Sequence, residues 1–314
     1  MVHQAMAQER LSALRDTISR IENEDLPGLV RSVRKPDKSG FRNQSQESQK
    51  CRVLPLGIDQ LDFILGGGLP LAGLTEIRAG QTRDAGAAAG FVLGLAVLCR
   101  AAQERGETLS PVLWIGQPMA ASEAGHPYAV GLQAYGLDCG RVLFANPRTL
   151  EEALWIAETA LNLAGFAAVI LEIRGNPSGF GLSESRRLHV RARAGELPFL
   201  LLRQAGEEEA SSAPFRLLVR PAPSSFRLLP DGSALFGSIG NPVFSVTAEK
   251  SRVLSSSDIF VEWNAHDRRF RQLSPNTITS GTESSHPVAR LSLSSIRQDR
   301  PDPVGEPMAF QRAS

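Results

Sequence analysis

Cysteine, net charge and long apolar runs are all scarce in this sequence. The 314 residues include three widely spaced cysteines, Cys51, Cys99 and Cys139, which excludes a disulfide framework or a cysteine zinc site. The 34 basic and 33 acidic residues give a net charge of +1, so no global field draws the chain onto nucleic acid or a membrane. The start, MVHQAM, lacks the layout of a signal peptide, and no apolar run approaches the roughly 18 residues of a membrane span. We therefore expect a cytoplasmic protein.

Lysine is absent between Lys50 and Lys250, and this interval contains the segment that most resembles a nucleotide-binding loop. The segment LTEIRAGQTRDAG, residues 74–86, has the pattern of a strand, a glycine-bearing loop and the start of an alanine-rich helix. A working P-loop has the sequence Gly-x-x-x-x-Gly-Lys-[Ser/Thr]: backbone N–H groups surround the phosphates, the lysine neutralises their charge and the hydroxyl binds Mg²⁺. The layout of a P-loop is therefore present without its cation.

The glycines of this loop remain, but the residues that grip a triphosphate do not. Ala87 and Ala88 occupy the positions of the lysine and the hydroxyl residue. The candidate vestigial site comprises Gly80, Gln81, Thr82, Arg83 and Gly86, together with Glu172. Two interpretations are open: an ordinary strand-to-helix turn, or weak ATP binding at a helix N-terminus, which needs no lysine. We expect no hydrolysis under either.

The pattern of composition divides the chain into four parts. Apolar residues make up 42% of the chain, which is enough for one buried core with extensions. The predicted parts are an N-terminal amphipathic helix (1–25), a polar basic linker (26–50), a core with a terminal β-hairpin (51–273) and a disordered tail (274–314).

The N-terminal helix has an apolar stripe that a polar linker separates from the core. Its members share helical spacing: Leu11, Leu14, Ile18 and Ile21. One interpretation is that the stripe is an interface with another molecule; the other is that the helix folds back on its own core.

Strand-like apolar runs alternate with helical stretches through the core. The predicted strands are 74–78, 112–116, 142–145, 168–173, 199–202 and 215–219; the predicted helices are 85–104, 128–136, 149–164 and 183–195; and 243–247 pairs with 259–263 as a hairpin. Strands that are apolar throughout are normally buried on both faces of a parallel sheet. The fold class is therefore α/β, with a mostly parallel sheet flanked by helices.

With these elements placed, the run LPLGIDQLDFILGGGLPLAGLTEI, residues 54–77, closely resembles the entrance to a RecA-type core. In that family a Gly-x-x-x-Leu-Asp helix, a glycine turn followed by Leu-Pro and a strand ending in Glu-Ile lead into the P-loop. The segment FAAVILEI, residues 166–173, resembles the Walker B strand, and Gln204 resembles the family's coupling glutamine. The resemblance covers about two-thirds of the chain and implies a RecA-like, P-loop-type core.

The departures from an active RecA-like enzyme are systematic. The sequence WIGQPM, residues 114–119, replaces the acidic residue that acts on the attacking water, and the loop AGEEEASS, residues 205–212, replaces the DNA-binding loop. Three successive glutamates repel phosphates, so DNA contact is expected to be weak or indirect. A degenerate core of this kind resembles the ImuA family, accessory factors related to RecA and SulA in bacterial damage-induced mutagenesis.

The ImuA resemblance implies a non-catalytic scaffold in the SOS response, without a cofactor. Its partners in translesion synthesis would be an ImuB-like polymerase homologue and an error-prone polymerase, with self-association or RecA as further partners, and it would join the nucleoid when in complex. The alternatives are a DNA-dependent ATPase of the recombinase type, in which Arg83 or a partner's lysine supplies the missing charge, and a SulA-like inhibitor of a cell-division GTPase.

Three further features have open or negative interpretations. Glu172 is either a vestigial metal ligand or a carboxylate paired with Arg174 or another arginine. A predicted helix carries a basic patch for a phosphate backbone or an acidic partner, or is simply a solvated face: Arg186, Arg187, Arg191 and Arg193. The five histidines have no metal-ligand spacing, and Ser183 and Ser185 lie beside no histidine-and-carboxylate arrangement typical of a catalytic triad.

Overall fold

The structure, a computed structural model, describes residues 52–103, 110–163, 165–235, 237–253 and 257–274. The predicted N-terminal helix and linker lie outside the described residues, as does the predicted tail beyond residue 274. The interface residues Leu11, Leu14, Ile18 and Ile21 therefore stay a prediction.

The described elements follow the predicted alternation of strands and helices. The helices are α1 (Asp59–Ile64), α2 (Ala85–Gln103), α3 (Pro118–Ala124), α4 (Ala129–Ala134), α5 (Leu150–Leu161) and α6 (Leu182–Ala194). The strands are β1 (Val53–Leu54), β2 (Leu69–Pro70), β3 (Gly73–Ala79), β4 (Val112–Gly116), β5 (Val142–Ala145), β6 (Ala168–Arg174), β7 (Pro198–Gln204), β8 (Phe215–Ala222), β9 (Arg227–Leu228), β10 (Ala234–Leu235), β11 (Val243–Lys250), β12 (Ile259–Asn264) and β13 (Arg269–Leu273).

Nine strands form one mixed sheet in the order β13-β12-β11-β8-β3-β7-β6-β4-β5. The strands from β8 to β5 are parallel to their neighbours, which confirms the predicted α/β class with a mostly parallel sheet. The predicted hairpin is confirmed as the β11–β12 pair, but it is not a separate unit. It continues the main sheet antiparallel to β8, and β13 extends the sheet by one more strand.

Both faces of the parallel strands β3, β4, β6 and β7 are buried. One face packs against α1, α2 and α4, and the other against α5 and α6. Helix α2 lies so close to its neighbours that a Cβ at either of two glycines would clash with a neighbouring side chain. A Cβ at Gly90 would lie 2.3 Å from the Tyr135 hydroxyl, and a Cβ at Gly94 would lie 2.6 Å from the Phe270 ring.

Helix α2 and the turn before it were not expected to be long and apolar enough to span a membrane. The segment Thr82–Ala102 does reach that length and apolarity, with a mean hydropathy of 1.8. Its most apolar window is 61% buried inside the protein, as in the core helix of a soluble protein.

The turn that leads into the sheet is organised by one carboxylate. Asp62 of α1 accepts hydrogen bonds from the backbone N–H groups of Leu56 (2.8 Å), Gly57 (3.0 Å) and Ile58 (3.3 Å). Gly68, with φ +135°, lies against the Leu54 carbonyl, where a Cβ would be 2.3 Å from the oxygen. The aspartate of the Gly-x-x-x-Leu-Asp sequence therefore holds the segment before β3 in place, because its carboxylate accepts hydrogen bonds from the backbone N–H groups of that segment.

His189 attaches α6 to the first residues of β3. Its Nδ1 accepts a hydrogen bond from the Leu74 N–H at 3.1 Å, so that nitrogen must be unprotonated. Burial lowers the pKa of His189, and the charges of Arg193 and Lys250 lower it further. Because the folded state favours the neutral ring, the stability that this contact contributes is present above the unfolded pKa of about 6.5 and is lost as the pH falls through the lower folded pKa.

We expect the free energy of unfolding to fall between pH 7.5 and pH 5.5 more steeply in the native protein than in His189→Gln, whose amide oxygen accepts the same N–H without titrating. Urea unfolding at both pH values measures this difference. Equal slopes in the two proteins would contradict it.

Candidate functional site

The carboxyl ends of the parallel strands meet at one edge of the sheet, where ligands of open α/β sheets usually bind. Register places Gly116 of β4 beside Glu172 of β6, and Gln204 of β7 beside both Arg174 of β6 and Ala79 of β3. The predicted vestigial loop follows Ala79 directly. The fold therefore brings Glu172, Gln204 and the loop to the same edge.

The loop itself is a tight turn. A short 3₁₀ turn, Thr82–Asp84, precedes α2, and the Asp84 N–H donates to the Gln81 carbonyl at 3.0 Å. The Arg83 side chain is 79% exposed and lies 3.9 Å from the Asp84 carboxylate. Ala88 is fully buried, so its position does not face a ligand.

The structure divides the predicted loop residues between two depressions. Gly86 lines a cavity that also contains Glu172 and Gln204. Gly80, Gln81 and Arg83 line a separate groove beside Arg220. Thr82 lines neither of the two. The cation of the loop is thus not directed at Glu172.

Glu172 is held by hydrogen bonds to neutral side chains. Trp114 Nε1–H donates to its Oε2 at 2.8 Å, and the Gln204 side-chain amide donates to its Oε1. The expected alternative, an ion pair with Arg174, is wrong, because the Arg174 guanidinium pairs with Glu123. Burial raises the pKa of Glu172, and the hydrogen bond from Trp114 opposes that rise. The carboxyl is therefore secured to the sheet without a balancing cation.

The cavity beside Glu172 has a volume of about 170 Å³. Its walls are the first turns of α2, the segment through α4 and three side chains of the sheet: Ala85, Gly86, Ala89, Gly90, Leu93, Trp114, Gly125, His126, Pro127, Tyr128, Gly131, Leu132, Tyr135, Glu172 and Gln204. Burial raises the pKa of Tyr135 to about 12, so its hydroxyl is neutral at physiological pH. Neither lysine nor arginine is among these lining residues.

These residues do not fit a magnesium nucleotide. A triphosphate in the cavity would meet the Glu172 carboxyl without a cation to neutralise it, and no hydroxyl extends from the first turn of α2 to hold the metal. The described residues contain no cluster of three or more His, Cys, Asp or Glu side chains that could hold a metal ion. The cavity is lined by small and aromatic apolar side chains together with the polar groups of His126, Glu172 and Gln204.

A second carboxylate, Glu76 of β3, lies on the opposite face of the sheet from Glu172 and is fully buried between two arginines. Arg203 Nε of β7 lies 3.2 Å from its Oε1, and Arg216 Nε of β8 lies 3.1 Å from its Oε2. Ser211 Oγ donates to the same Oε2 at 2.6 Å. Both arginines are themselves at most 3% exposed. Glu76 therefore ties three adjacent strands together.

The same arginines anchor the acidic loop 205–212. Arg203 lies 3.4 Å from the Glu209 carboxylate, and Arg216 lies 3.3 Å from that of Glu208. Asn176 donates to the Glu209 carboxylate at 2.9 Å and accepts from the Glu207 N–H at 2.7 Å. The glutamates predicted to repel phosphates are thus also internal contacts, which hold this loop against the core.

Sequence reasoning missed Glu76, Arg203, Arg216 and Trp114. A usable signal was present for the first three, because each is a charged residue in a mainly apolar strand, as in LTEIR, FLLLRQ and FRLLVR. Trp114 gave no such signal, since a tryptophan in an apolar strand is ordinary core material.

The predicted basic patch on α6 is partly neutralised. Arg187 and Arg191 both pair with Glu158 of α5, Arg191 at 3.2 Å. The Arg193 side chain packs beside Gly73. Arg186 is exposed. Two of the four predicted arginines therefore serve the α5–α6 contact.

Comparison of the chain with models of known protein families and with curated proteins finds no match.

We expect Glu76→Gln to lower the free energy of unfolding by about 3–5 kcal/mol, because it removes the fully buried counter-charge of Arg203 and Arg216 and leaves them only the more exposed carboxylates of Glu209 and Glu208. Urea unfolding followed by tryptophan fluorescence measures the change. Glu208→Gln is the matched control, since its side chain is 64% exposed and an exposed pair contributes only about 0–1 kcal/mol. Equal losses in the two variants would contradict the role of the buried pair.

We expect Glu172→Gln to become more stable relative to the native protein as the pH rises. The raised pKa of Glu172 means that its contribution to stability is fully present below the unfolded value of 4.5 and is lost as the pH rises through the higher folded value. Urea unfolding of both proteins from pH 4.5 to 8 measures the difference between their free energies of unfolding.

Trp114→Phe is the companion variant for that series. Loss of its N–H leaves Glu172 with one donor fewer, which should cost about 1–3 kcal/mol at neutral pH and less in acid. A pH-independent difference between Glu172→Gln and the native protein would contradict the assignment.

Proposed function

We propose that this chain is a non-catalytic accessory protein with a degenerate RecA-like core, which acts by docking other proteins rather than by hydrolysing a nucleotide. One observation carries the proposal. The carboxyl at the Walker B position, Glu172, is bound by Trp114 and Gln204 beside a cavity whose lining residues include neither lysine nor arginine. The lining therefore supplies no permanent positive charge to neutralise a phosphate and no hydroxyl at the start of α2 to help hold a metal.

The arrangement of the sheet supports the RecA-like part of the proposal. The strand that enters the glycine loop, β3, is separated from the Glu172 strand, β6, by the strand that ends in Gln204. The three features that carried the resemblance along the sequence thus share one edge. The segment before β3 that resembles a RecA-type entrance is also held together by hydrogen bonds from its backbone to Asp62.

The acidic loop supports a scaffold rather than a DNA-stimulated motor. Residues 205–212 follow Gln204 and are bound to Arg203 and Arg216 through their glutamates. A loop that closes on DNA would have to break these contacts and would bring like charges to the phosphates. Direct DNA contact by this loop is therefore disfavoured.

Within this proposal, the resemblance to the ImuA family gives the biological setting. The chain would work in SOS-induced, error-prone translesion synthesis, in the cytoplasm, with an ImuB-like polymerase homologue and an error-prone polymerase as partners. The apolar stripe of Leu11, Leu14, Ile18 and Ile21 is the proposed partner interface.

We expect the full chain to show neither magnesium-dependent ATP binding nor ATP turnover, with or without single-stranded DNA, and to retain its partner from damage-treated cells. Nucleotide binding is measured by equilibrium dialysis, turnover by phosphate release, and partners by affinity capture with mass spectrometry. Leu14→Asp combined with Ile18→Asp should reduce capture without changing thermal unfolding of the core. Ile239→Asp, at a position 78% exposed, is the matched control.

The rival functions give distinct results in these assays. DNA-stimulated turnover that is lost in Arg83→Ala would replace the scaffold proposal with an ATPase. Capture of a cell-division GTPase in place of a polymerase homologue would favour the SulA-like inhibitor.

A further inference from the structure

Glu172 is a buried acid that faces a cavity while the nearby arginines are paired elsewhere. Its side chain is 4% exposed, and its two oxygens accept hydrogen bonds from the uncharged Trp114 indole and Gln204 amide. Arg174 pairs with Glu123, and Arg203 of the neighbouring strand pairs with Glu76 on the other face of the sheet. An opposite charge is the group that most stabilises a buried carboxylate. The electrostatics of this site therefore favour an added cation.

The cavity beside Glu172 can admit a solute of moderate size. His126 and Tyr128 are among its lining residues and are exposed, so the cavity reaches the surface there. Its volume of about 170 Å³ is similar to the roughly 150 Å³ that holds a benzene-sized molecule. A group of that size can therefore enter without unfolding the core.

The lining of this cavity combines aromatic rings with a single carboxyl. The rings belong to Trp114, Tyr128 and Tyr135, and neither lysine nor arginine contributes to the lining. Aromatic rings attract organic cations through the negative potential of their faces, and tryptophan and tyrosine do so best. A metal ion would need several oxygen ligands, whereas Glu172 is the only carboxylate among these lining residues. The lining therefore suits an organic cation better than a metal ion or an anion.

We propose that this cavity binds a small organic ammonium ion, with Glu172 as its counter-ion and the rings of Trp114, Tyr128 and Tyr135 among its contacts. The bound ion would offset the loss of hydration that raises the pKa of Glu172. Its source is a free solute or the side-chain amine of a partner's lysine; both present an ammonium nitrogen on an apolar carbon frame. This site goes beyond the proposed docking function and does not depend on it.

Isothermal titration calorimetry of the full chain at pH 8 tests the proposal with two matched probes. Choline represents a free ammonium solute, and its control is the uncharged alcohol in which carbon replaces the choline nitrogen. Choline should bind in a saturable manner and at least about tenfold more tightly than the alcohol, because only choline carries the charge. Butylammonium, which imitates the end of a lysine side chain, is the second probe, and sodium chloride of equal ionic strength is the blank.

Two variants locate the bound ion. Glu172→Gln keeps the shape of the side chain but removes its charge, and should weaken binding at least about tenfold. Glu208→Gln removes an exposed carboxylate elsewhere and should bind as the native chain does. Gly86→Leu fills the cavity while leaving Glu172 unchanged. A Cβ at Gly86 has no heavy atom within 4 Å, so this variant should fold and lose binding.

A third pair of variants tests the aromatic contribution. Tyr128 is 73% exposed, so its replacement does not disturb the core. Tyr128→Leu should weaken binding of the ammonium probe about two- to fivefold, as expected for one exposed ring, and Tyr128→Phe should retain it. Thermal unfolding of each variant confirms that it is folded.

Three outcomes would overturn the proposal. They are no saturable binding of either ammonium ion up to tens of millimolar, equal binding of choline and the uncharged alcohol, and binding that survives both Glu172→Gln and Gly86→Leu. Tighter binding of choline would support a free solute as the source, and tighter binding of butylammonium would support a lysine side chain. ATP binding and partner capture are separate measurements, so failure here leaves the proposed docking function standing.

Discussion

The buried carboxylate of Glu76 is the contact on which the functional edge of this protein depends. It lies on β3, the strand that enters the glycine loop, and it meets Arg203 of β7 and Arg216 of β8. Charges removed from water are stable only when their partners are in place. The three central strands and the loop that those arginines anchor therefore form one cooperative unit.

Glu172 of β6 is stabilised in a different way from Glu76 of β3. Its partners, Trp114 and Gln204, are neutral, and its own burial favours the protonated form. The sheet thus holds one carboxylate balanced by arginines on one face and another held by neutral donors on the other. The Glu172 cavity, which contains neither lysine nor arginine, has little capacity to accept added negative charge, which supports the proposal that the fold serves docking rather than phosphoryl transfer.

The regular elements could be predicted because their apolar runs are uninterrupted. The bounds 112–116 and 142–145 match β4 and β5, and the helix predicted at 85–104 is described from Ala85 to Gln103. Strand β13 was missed because alternating arginines hide the period of its buried Phe270. The bonding of Glu172 was missed because Trp114 is 58 residues away along the chain, and only the sheet register brings the two together.

The glycines of α2 have a mechanical consequence. The absence of a side chain at Gly94 leaves room for the ring of Phe270 from the last strand. Its absence at Gly90 leaves room for the hydroxyl of Tyr135. A helix that follows a loop of this kind can transmit movement along its axis only if the side chains packed against it allow the helix to shift. Here α2 lies against Tyr135 and the final β-strand, so movement of the helix along its axis would require both of these neighbours to shift.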